Sequence, residues 1–502
     1  MPHGATEVRE THISRVLLDG DRAYKIKKPV RLPFLDYGTL ERRHRLCREE
    51  VRLNRRLAPD VYLGVAALVP AAGGMRRAPE STPGAVEYAV VMRRYDEAST
   101  LARRLRAGTA GEAEVQAVGA RLAAFHAEAE RPADAPGTVA ALERMVAENF
   151  ETLRGLDADP ALLTDAERLA DAMLAGRRAQ LLERAHAGLV RDGHGDLRAE
   201  HVVLERGIEI VDCVEFDPAL REIDVGLDLA FLVMDLLRHD ERLAAALVSA
   251  YREAGGDPGD DALVDFFAAQ RALIRAKVAL VRAGQVGGED AARRRHDARA
   301  LLALAGRLGW RVRLGPGAVV CGVAASGKST LAAALAAPAG ATVVSSDLVR
   351  KQIVGVAPTD RAPERAYRPA VDRATYEALG RRARELVDRQ ERVIVDATFR
   401  RRADRRAFAG AFGSPGDLAW IECRAPIPVL ARRAGARALA AGRVSDAGPD
   451  VAVHQAAEWE PLDVVTAQLV VRTDRDAAGV LSAVRDGLDL RLRGELRSET
   501  AV

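Results

Sequence analysis

The sequence predicts two folded parts in series: an α+β part in which a small β-rich lobe precedes a helical one, then an α/β part built on a parallel sheet. Three observations predict this. A hairpin pattern from Ser14 to Pro29, one helical stretch from Leu40 to Leu57 and a strand from Glu87 to Tyr95 give way to helical periodicity from Ser99 to about Ala187, then two short strands and helices to about Leu308. Beyond Gly317, the apolar runs AVVCG, TVVSS, VIVDA, LAWIEC and QLVVR alternate with helical stretches, as strands joined by crossover helices do. Between the two, WRVRLGPG brings Pro and Gly together, so the expected division is 1–308, a linker at 309–316, and 317–495.

Each element has a local reason. In SRVLLDGDRAYKIKKP, from Ser14 to Pro29, alternation on both sides of Asp19-Gly20 predicts a hairpin. Helical spacing predicts a helix over Leu40 to Leu57, and EYAVVMRRY predicts a strand from Glu87 to Tyr95. The Ala/Leu/Arg/Glu-rich stretch to Ala187 is helical, punctuated by Pro132, Pro136 and Pro160. HVVLERGIEIVDCVEF, His201 to Phe216, reads as two short strands, followed by helices from Asp224 to Leu308.

Composition excludes several classes. With 48% apolar and 29% charged residues over 502 positions, the chain has enough to bury and is not of the disordered class. Lys+Arg 75 against Asp+Glu 72 gives +3, too balanced for a surface that is a polyanion footprint throughout. Cys47, Cys213, Cys321 and Cys423 are far apart with no CxxC pair, which argues against a disulfide framework or zinc knuckle. The first residues lack an apolar core of a signal peptide, and the greasiest stretch, Gly226 to Leu237, is broken by Asp228 and Asp235, so a cytoplasmic protein without a membrane span is expected. Lysine is scarce. Lys25, Lys27, Lys28, Lys277, Lys328 and Lys351 stand out among arginines, marking either places that want a point charge or, for Lys277 and Lys351 equally, surface drift.

The sharpest motif is Gly322-Val-Ala-Ala-Ser-Gly327-Lys328-Ser329, which fits GxxxxGK[ST] between an apolar strand and the helix STLAAALAA. Its glycines let backbone amides of Gly322, Ala325, Ser326, Gly327 and Thr330 curl around phosphates; Lys328 reaches the β/γ-phosphates of ATP, and Ser329 offers its hydroxyl to Mg²⁺. After the next strand, Asp347 and Arg350 lie one helical turn apart, suiting a base on a hydroxyl plus a clamp on substrate anion. Asp396 ends the third strand, where it serves Mg²⁺ through water or touches substrate. Arg433 and Arg437, i and i+4 on one helix with Arg443 and Ser445-Asp446 beyond, suit a lid over the transferring phosphoryl. From Gly317 to Gly487 the sequence resembles the small P-loop kinases of the polynucleotide-kinase and gluconate-kinase-like group. That resemblance implies that Asp347 is general base or substrate anchor, that Arg350 binds substrate phosphate, and that Arg433 and Arg437 are lid arginines. From Arg400 to Arg443 ten arginines face only Asp404, Asp417 and Glu422, which suits a polyanionic acceptor or nucleotide phosphates alike.

The N-terminal part carries a second constellation. His194-Gly195-Asp196-Leu197-Arg198-Ala199-Glu200-His201 matches H-x-D-L-x-x-x-N except at its last place, and Asp212 ends the next apolar strand. Asp196 there orients or deprotonates an acceptor hydroxyl, Asp212 holds Mg²⁺, Lys25 on the hairpin meets nucleotide phosphates, Glu50 on the helix pairs with it, and Met92 falls at the hinge between lobes. This order resembles the aminoglycoside phosphotransferase and choline-kinase-like superfamily over Thr11 to Leu308, and implies a two-lobed protein-kinase-like domain. The whole chain resembles the bacterial bifunctional aminoglycoside phosphotransferase/ATP-binding proteins. One position departs: His201 stands where the family has a metal-binding Asn, and imidazole is a poorer Mg²⁺ ligand than an amide oxygen.

Three expectations compete. The first is a two-site phosphotransferase using ATP and Mg²⁺ on a small hydroxyl compound. The second is a degenerate kinase-like regulator of a C-terminal P-loop kinase, and the third a kinase acting on nucleic-acid ends. His126 reads as a helix-packing residue, Asp224 and Asp228 as either loop buttresses or helix caps, and the acidic run Asp257 to Asp261 as an exposed loop.

Overall fold

The computed structural model describes residues 7–11, 13–32, 35–71, 74–438, 448–462 and 468–495. Arg443, Ser445 and Asp446 lie outside the described residues. In chain order the elements begin with β1 (Glu7–Glu10), β2 (Ser14–Asp19), β3 (Arg22–Lys27), the short β4 (Arg31–Leu32) and β5 (Leu35–Asp36), α1 (Leu40–Asn54), β6 (Tyr62–Ala71), β7 (Gly74–Pro79) and β8 (Glu87–Arg93). Helices α2 (Leu101–Arg106), α3 (Glu112–Glu128), α4 (Gly137–Arg154) and α5 (Pro160–His186) follow, then the short strands β9 (Val190–Asp192), β10 (Val202–Val203), β11 (Glu209–Ile210) and β12 (Glu222–Asp224). Next come α6 (Val225–Leu237), α7 (Glu241–Glu253), α8 (Asp261–Gln285) and α9 (Gly288–Leu314). The α/β part runs β13 (Gly317–Cys321), α10 (Lys328–Ala339), β14 (Thr342–Ser345), α11 (Ser346–Val354), α12 (Pro369–Asp388), β15 (Val393–Asp396), α13 (Arg402–Phe412), β16 (Ala419–Arg424), α14 (Ile427–Ala438), α15 (Pro449–Ala457), β17 (Gln468–Arg472) and α16 (Ala477–Leu492).

These elements form two compact units, Met1–Glu148 with Gln180–Ala272, and Asn149–Ala179 with Leu273–Val502. In unit 1 an antiparallel sheet of order β1-β2-β3-β8-β6-β7 makes the β-rich lobe, with α1 against it. The β2–β3 hairpin turns at Gly20 in the left-handed region. Thr39 caps α1 by accepting the amide of Arg42. The apolar face of α1, Cys47 and Val51, packs on Tyr62, Val90, Val203 and Val211, which brings the β10–β11 segment that follows the HGDL loop against the helix carrying Glu50.

In unit 2 the sheet is all parallel, order β14-β15-β13-β16-β17. Alternate residues of one strand serve opposite cores: Ala318 and Val320 face Leu331, Leu335, Val480 and Val484, whereas Val319 and Cys321 face Tyr376, Leu379 and Phe408. A sheet covered on both faces explains why these strands read as unbroken apolar runs. Residues 309–314, expected as linker, are instead the last turns of α9, and the chain breaks at Gly315, φ 59°. The reason is packing: Trp310 and Leu314 belong to the core beneath the sheet, and buried Arg313 is held by Asp165 and Asp489. No helix among the described residues is long and apolar enough to cross a membrane.

Candidate nucleotide sites

In unit 2, Gly322 to Ser329 connects β13 to α10. Three residues of this loop are left-handed: Gly322 (φ 137°), Ala325 (φ 64°) and Gly327 (φ 90°). A side chain at Gly322 is impossible, because its Cβ would lie 2.5 Å from the carbonyl oxygen of Cys423. Ala325 accepts a conformation costly for a non-glycine residue, a strain that belongs to loops whose amides must converge. The loop is pinned from outside: Ala324 donates its amide to Gln455 Oε1 at 2.8 Å, and Thr473 donates its hydroxyl to the Ser326 carbonyl at 2.6 Å. Ser326 is fully buried, whereas Ser329 and Thr330 open to solvent at the first turn of α10, where orphan amides favour an anion.

Asp396 ends β15 beside Ser345 of β14 and Val320 of β13, so the sheet register itself brings it to the phosphate loop. Burial pushes its carboxyl upward, opposed by Lys328 and a hydrogen bond with Ser329, and Asp347 adds to the rise. Its Oδ1 is buried without a hydrogen-bond partner. Asp347 lies half-buried in the first turn of α11. Arg433 donates to the Thr473 carbonyl at 2.5 Å and has Nη1 3.7 Å from a Cβ built at Gly327, so it borders the loop. Arg437, one turn on, has Nε and Nη2 buried without partners. Arg350 departs from expectation: it is buried, and its guanidinium donates to the Ala366 carbonyl at 2.7 Å and Asp372 at 2.6 Å and lies over Tyr367, bracing α12 instead of standing open to a substrate phosphate.

In unit 1, Lys25 Nζ lies 2.8 Å from both Glu50 Oε1 and Asp212 Oδ1. Burial alone would lower the Lys25 pKa, but Asp212 and Glu50 outweigh it and hold it well above the usual range. Lys25 in turn holds Asp212 far below the carboxylate range. Asp212 is left-handed at φ 62°, with its amide donating to the Tyr62 hydroxyl at 3.1 Å. Met92 is half-buried at the end of β8, opposite Ala23 and Tyr62.

The HGDL loop is organised from behind. Asp228, buried on α6, accepts the amides of His194 at 2.6 Å and Gly195 at 2.8 Å, and is braced by His126 at 3.1 Å, itself 2.8 Å from the Tyr251 hydroxyl. Desolvation would raise Asp228, yet these donors hold it low and ionised. Asp228 is therefore a loop buttress, Asp224 a helix cap that also grips Arg184, and His126 a packed core residue in contact with the buttress. Gly195 must be glycine: at φ 82°, a Cβ would meet the Leu220 carbonyl oxygen at 2.8 Å. His194 is fully buried, with its pKa pushed down to about 4 by desolvation, so it is neutral, donating from Nε2 to the Val211 carbonyl. Asp196 is a third exposed at the loop's mouth. His201 Nδ1 donates to the Asp196 carbonyl at 2.8 Å, leaving Nε2 as the remaining nitrogen. In the acidic run, Asp257 pairs with Arg184 and Asp261 with Arg252.

Sequence reasoning missed the deeper layer. Lys27, only 1% exposed, is 2.6 Å from Glu50 Oε2, ion-paired with Glu215, and 3.2 Å from the Tyr37 hydroxyl, which donates to Glu215. Glu50 is thus shared by two lysines. The signal was available: in a strand, Lys25 and Lys27 share one face, and both stand out in a lysine-poor chain. Asn54 and Arg56, which tie the end of α1 to Cys213 and to the carbonyls of Asp192 and Gly193, had no such signal.

A family model described as an AAA domain matches residues 318–462. Uncharacterized protein Mb2027c of Mycobacterium bovis (strain ATCC BAA-935 / AF2122/97) and uncharacterized protein Rv2004c of Mycobacterium tuberculosis (strain ATCC 25618 / H37Rv) are each 36% identical over 474 residues, covering 90% of this chain and 91% of theirs. The chain belongs to their family. Solved structures similar to parts of the chain include a gluconokinase from Sinorhizobium meliloti 1021 (24% identity, 36% of this chain and 95% of that one, TM-score 0.27). A choline/ethanolamine kinase family protein from Mesorhizobium loti matches at 15% identity (60% and 92%, TM-score 0.38), and the GDP complex of an aminoglycoside 2'-phosphotransferase-IIIa mutant at 14% (61% and 92%, TM-score 0.36).

Proposed function

We propose that this chain is an ATP- and Mg²⁺-dependent phosphotransferase with two nucleotide sites, each passing the γ-phosphoryl group to a hydroxyl of a small molecule. The observation that carries the reading is the strained, buried phosphate loop with Lys328 and Ser329 at its exit and Asp396 beside them. The donors fit Mg²⁺, a hard cation: the Ser329 hydroxyl and the unpartnered Oδ1 of Asp396 are both oxygen. When bound, the ion neutralises charge on the transferring phosphoryl group. Lys328 and Arg433 add positive charge at the same end of the loop, and Asp347 is the group positioned to take the acceptor proton.

In unit 1, Lys25 serves the nucleotide phosphates, Asp212 is the metal carboxylate and Asp196 orients the acceptor hydroxyl. His201 fits Mg²⁺ less well, since its free atom is a nitrogen. A second reading, a regulatory unit 1 governing the P-loop site, draws on one observation: Lys25 is closed onto Asp212, the carboxylate that would otherwise face a metal.

The test uses the full chain, γ-labelled ATP and a panel of small hydroxyl compounds and oligonucleotides. Lys328→Ala removes one set of labelled products and Asp196→Ala another if both sites are kinases. Loss of all label with Lys328→Ala and none with Asp196→Ala selects the regulatory reading. Label on oligonucleotide ends alone moves the acceptor to nucleic acid, and products that survive both substitutions overturn the proposal.

A further inference from the structure

We propose that the unit 1 site takes a first-row transition-metal ion of the Mn²⁺ or Co²⁺ class in preference to Mg²⁺, with His201 Nε2 and Asp212 as its protein ligands. This rests on the reading of unit 1 as a nucleotide site. The ladder between β10 and β11 sets Val202 opposite Ile210, and the Val211 amide donates to the His201 carbonyl at 3.0 Å. His201 therefore stands across from Val211, one residue away from Asp212. Lys25 is the main charge holding Asp212 low and His201 adds to it, so the ring lies within electrostatic reach of that carboxylate.

The ring is oriented as a metal ligand is. Its Nδ1 lies 2.8 Å from the Asp196 carbonyl oxygen, which can only accept, so in the neutral ring the proton sits on Nδ1 and the lone pair on Nε2. Metal-bound histidines are held in this way, by a hydrogen bond from the nitrogen that does not touch the metal. Nε2 makes no hydrogen bond among the described residues, and Glu200 Oε1, at 3.7 Å, is beyond that range. On the other ligand, Asp212 Oδ1 is taken by Lys25 while the side chain is 45% exposed, so Oδ2 stays open to a cation. The donor set selects the metal. Mg²⁺ is a hard ion served by oxygen, whereas binding to a site with imidazole nitrogen strengthens along the series Mn²⁺, Fe²⁺, Co²⁺. Among the described residues no group of three or more His, Cys, Asp or Glu forms a metal site, and a pair is too few to keep a resident ion. The phosphates of the nucleotide complete the shell, so the metal arrives with nucleotide.

The experiment uses the full chain as K328A, which silences the phosphate loop, with histidine labelled in heavy nitrogen and β,γ-methylene-ATP as the probe. Pulsed electron paramagnetic resonance of the Mn²⁺–nucleotide complex should show coupling to histidine nitrogen, and calorimetry should show Mn²⁺ and Co²⁺ supporting nucleotide binding better than Mg²⁺. Adding H201N should abolish the coupling and lower the Co²⁺-to-Mg²⁺ affinity ratio by about tenfold or more, at least what loss of an outer-shell partner costs. The coupling is read on the unsubstituted ring, so it decides the matter even where H201N folds poorly. Nucleotide that binds with metal but without histidine coupling, or a metal preference that H201N leaves unchanged, overturns the proposal and leaves the nucleotide reading of unit 1 in place. No metal-dependent nucleotide binding by K328A with any of these ions fails that reading, and the proposal with it.

Discussion

Replacing Lys27 with Met removes an ammonium from a place water does not reach. Lys27 and Glu50 are at most 1% exposed and Glu215 is 8% exposed. After the change Glu50 keeps Lys25 at 2.8 Å, but Glu215 keeps only the Tyr37 hydroxyl, and two carboxylates that shared a cation are left facing one. Breaking a buried pair by deleting one partner costs about 3–5 kcal/mol, because the desolvated charge left behind is uncompensated. For a unit of this size that lowers the melting temperature by about 6–20 °C. The control is Lys28, the next residue, whose ion pair with half-exposed Glu10 contributes below about 1 kcal/mol, so Lys28→Met barely moves the transition. Lys27→Met/Glu215→Gln removes both charges and recovers a large part of the loss. The sign with pH follows from the shifts. Glu215, held low by Lys27 against desolvation, stabilises above its ordinary value near 4.5 and loses that contribution as pH falls. Lys27, held high by Glu215 and Glu50 against desolvation, stabilises below about 10.5 and loses it as pH rises through its folded value. The assay is urea and thermal unfolding followed by circular dichroism between pH 5 and 9. A loss under 1 kcal/mol, or one equal to that of Lys28→Met, refutes the argument from burial.

Three further outcomes follow from the site. His194 stays neutral to about pH 4 when folded but protonates near 6.5 when unfolded, so stability is full above 6.5 and falls by about 3 kcal/mol as pH drops to 4; unfolding free energies of His194→Gln should lack about one proton's worth of that slope, and equal slopes refute it. Asp228→Ala strands the amides of His194 and Gly195 and should cost about 2 kcal/mol or more, with Asp228→Asn milder because one acceptor remains; hydrogen exchange at those two amides reads the effect directly, and unchanged protection counts against the buttress. His201→Asn restores an amide oxygen next to Asp196 and should strengthen Mg²⁺-dependent nucleotide binding by unit 1 in a Lys328→Ala background, about tenfold; identical affinities with and without the substitution show that metal chemistry does not pass through this position.

The parts legible from composition and spacing are those whose physics is local. A period-two pattern around Asp19-Gly20 can only be a hairpin, and unbroken apolar runs between helical stretches require a sheet buried on both faces, so β2–β3 and β13 to β17 follow from the residues alone. The phosphate loop is legible for the same reason, since its glycines encode backbone conformation within eight residues. β6 and β7 escaped because YLGVAALVPA carries Gly64 and Pro70 in an apolar stretch without clean alternation, and GMRRAP is mostly exposed. What the tertiary structure decided is pairing between residues far apart in the chain. Lys25 finds Asp212 across 187 positions and Lys27 finds Glu215 because α1 and the short strands pack on one core, and Asp228 finds the HGDL amides from α6. It also withdrew Arg350 from the substrate side, turning it onto Asp372, and carried α9 through the expected linker to bury Trp310. A charge's partner is chosen by the fold that desolvates it, and sequence spacing specifies only which residues can share a face.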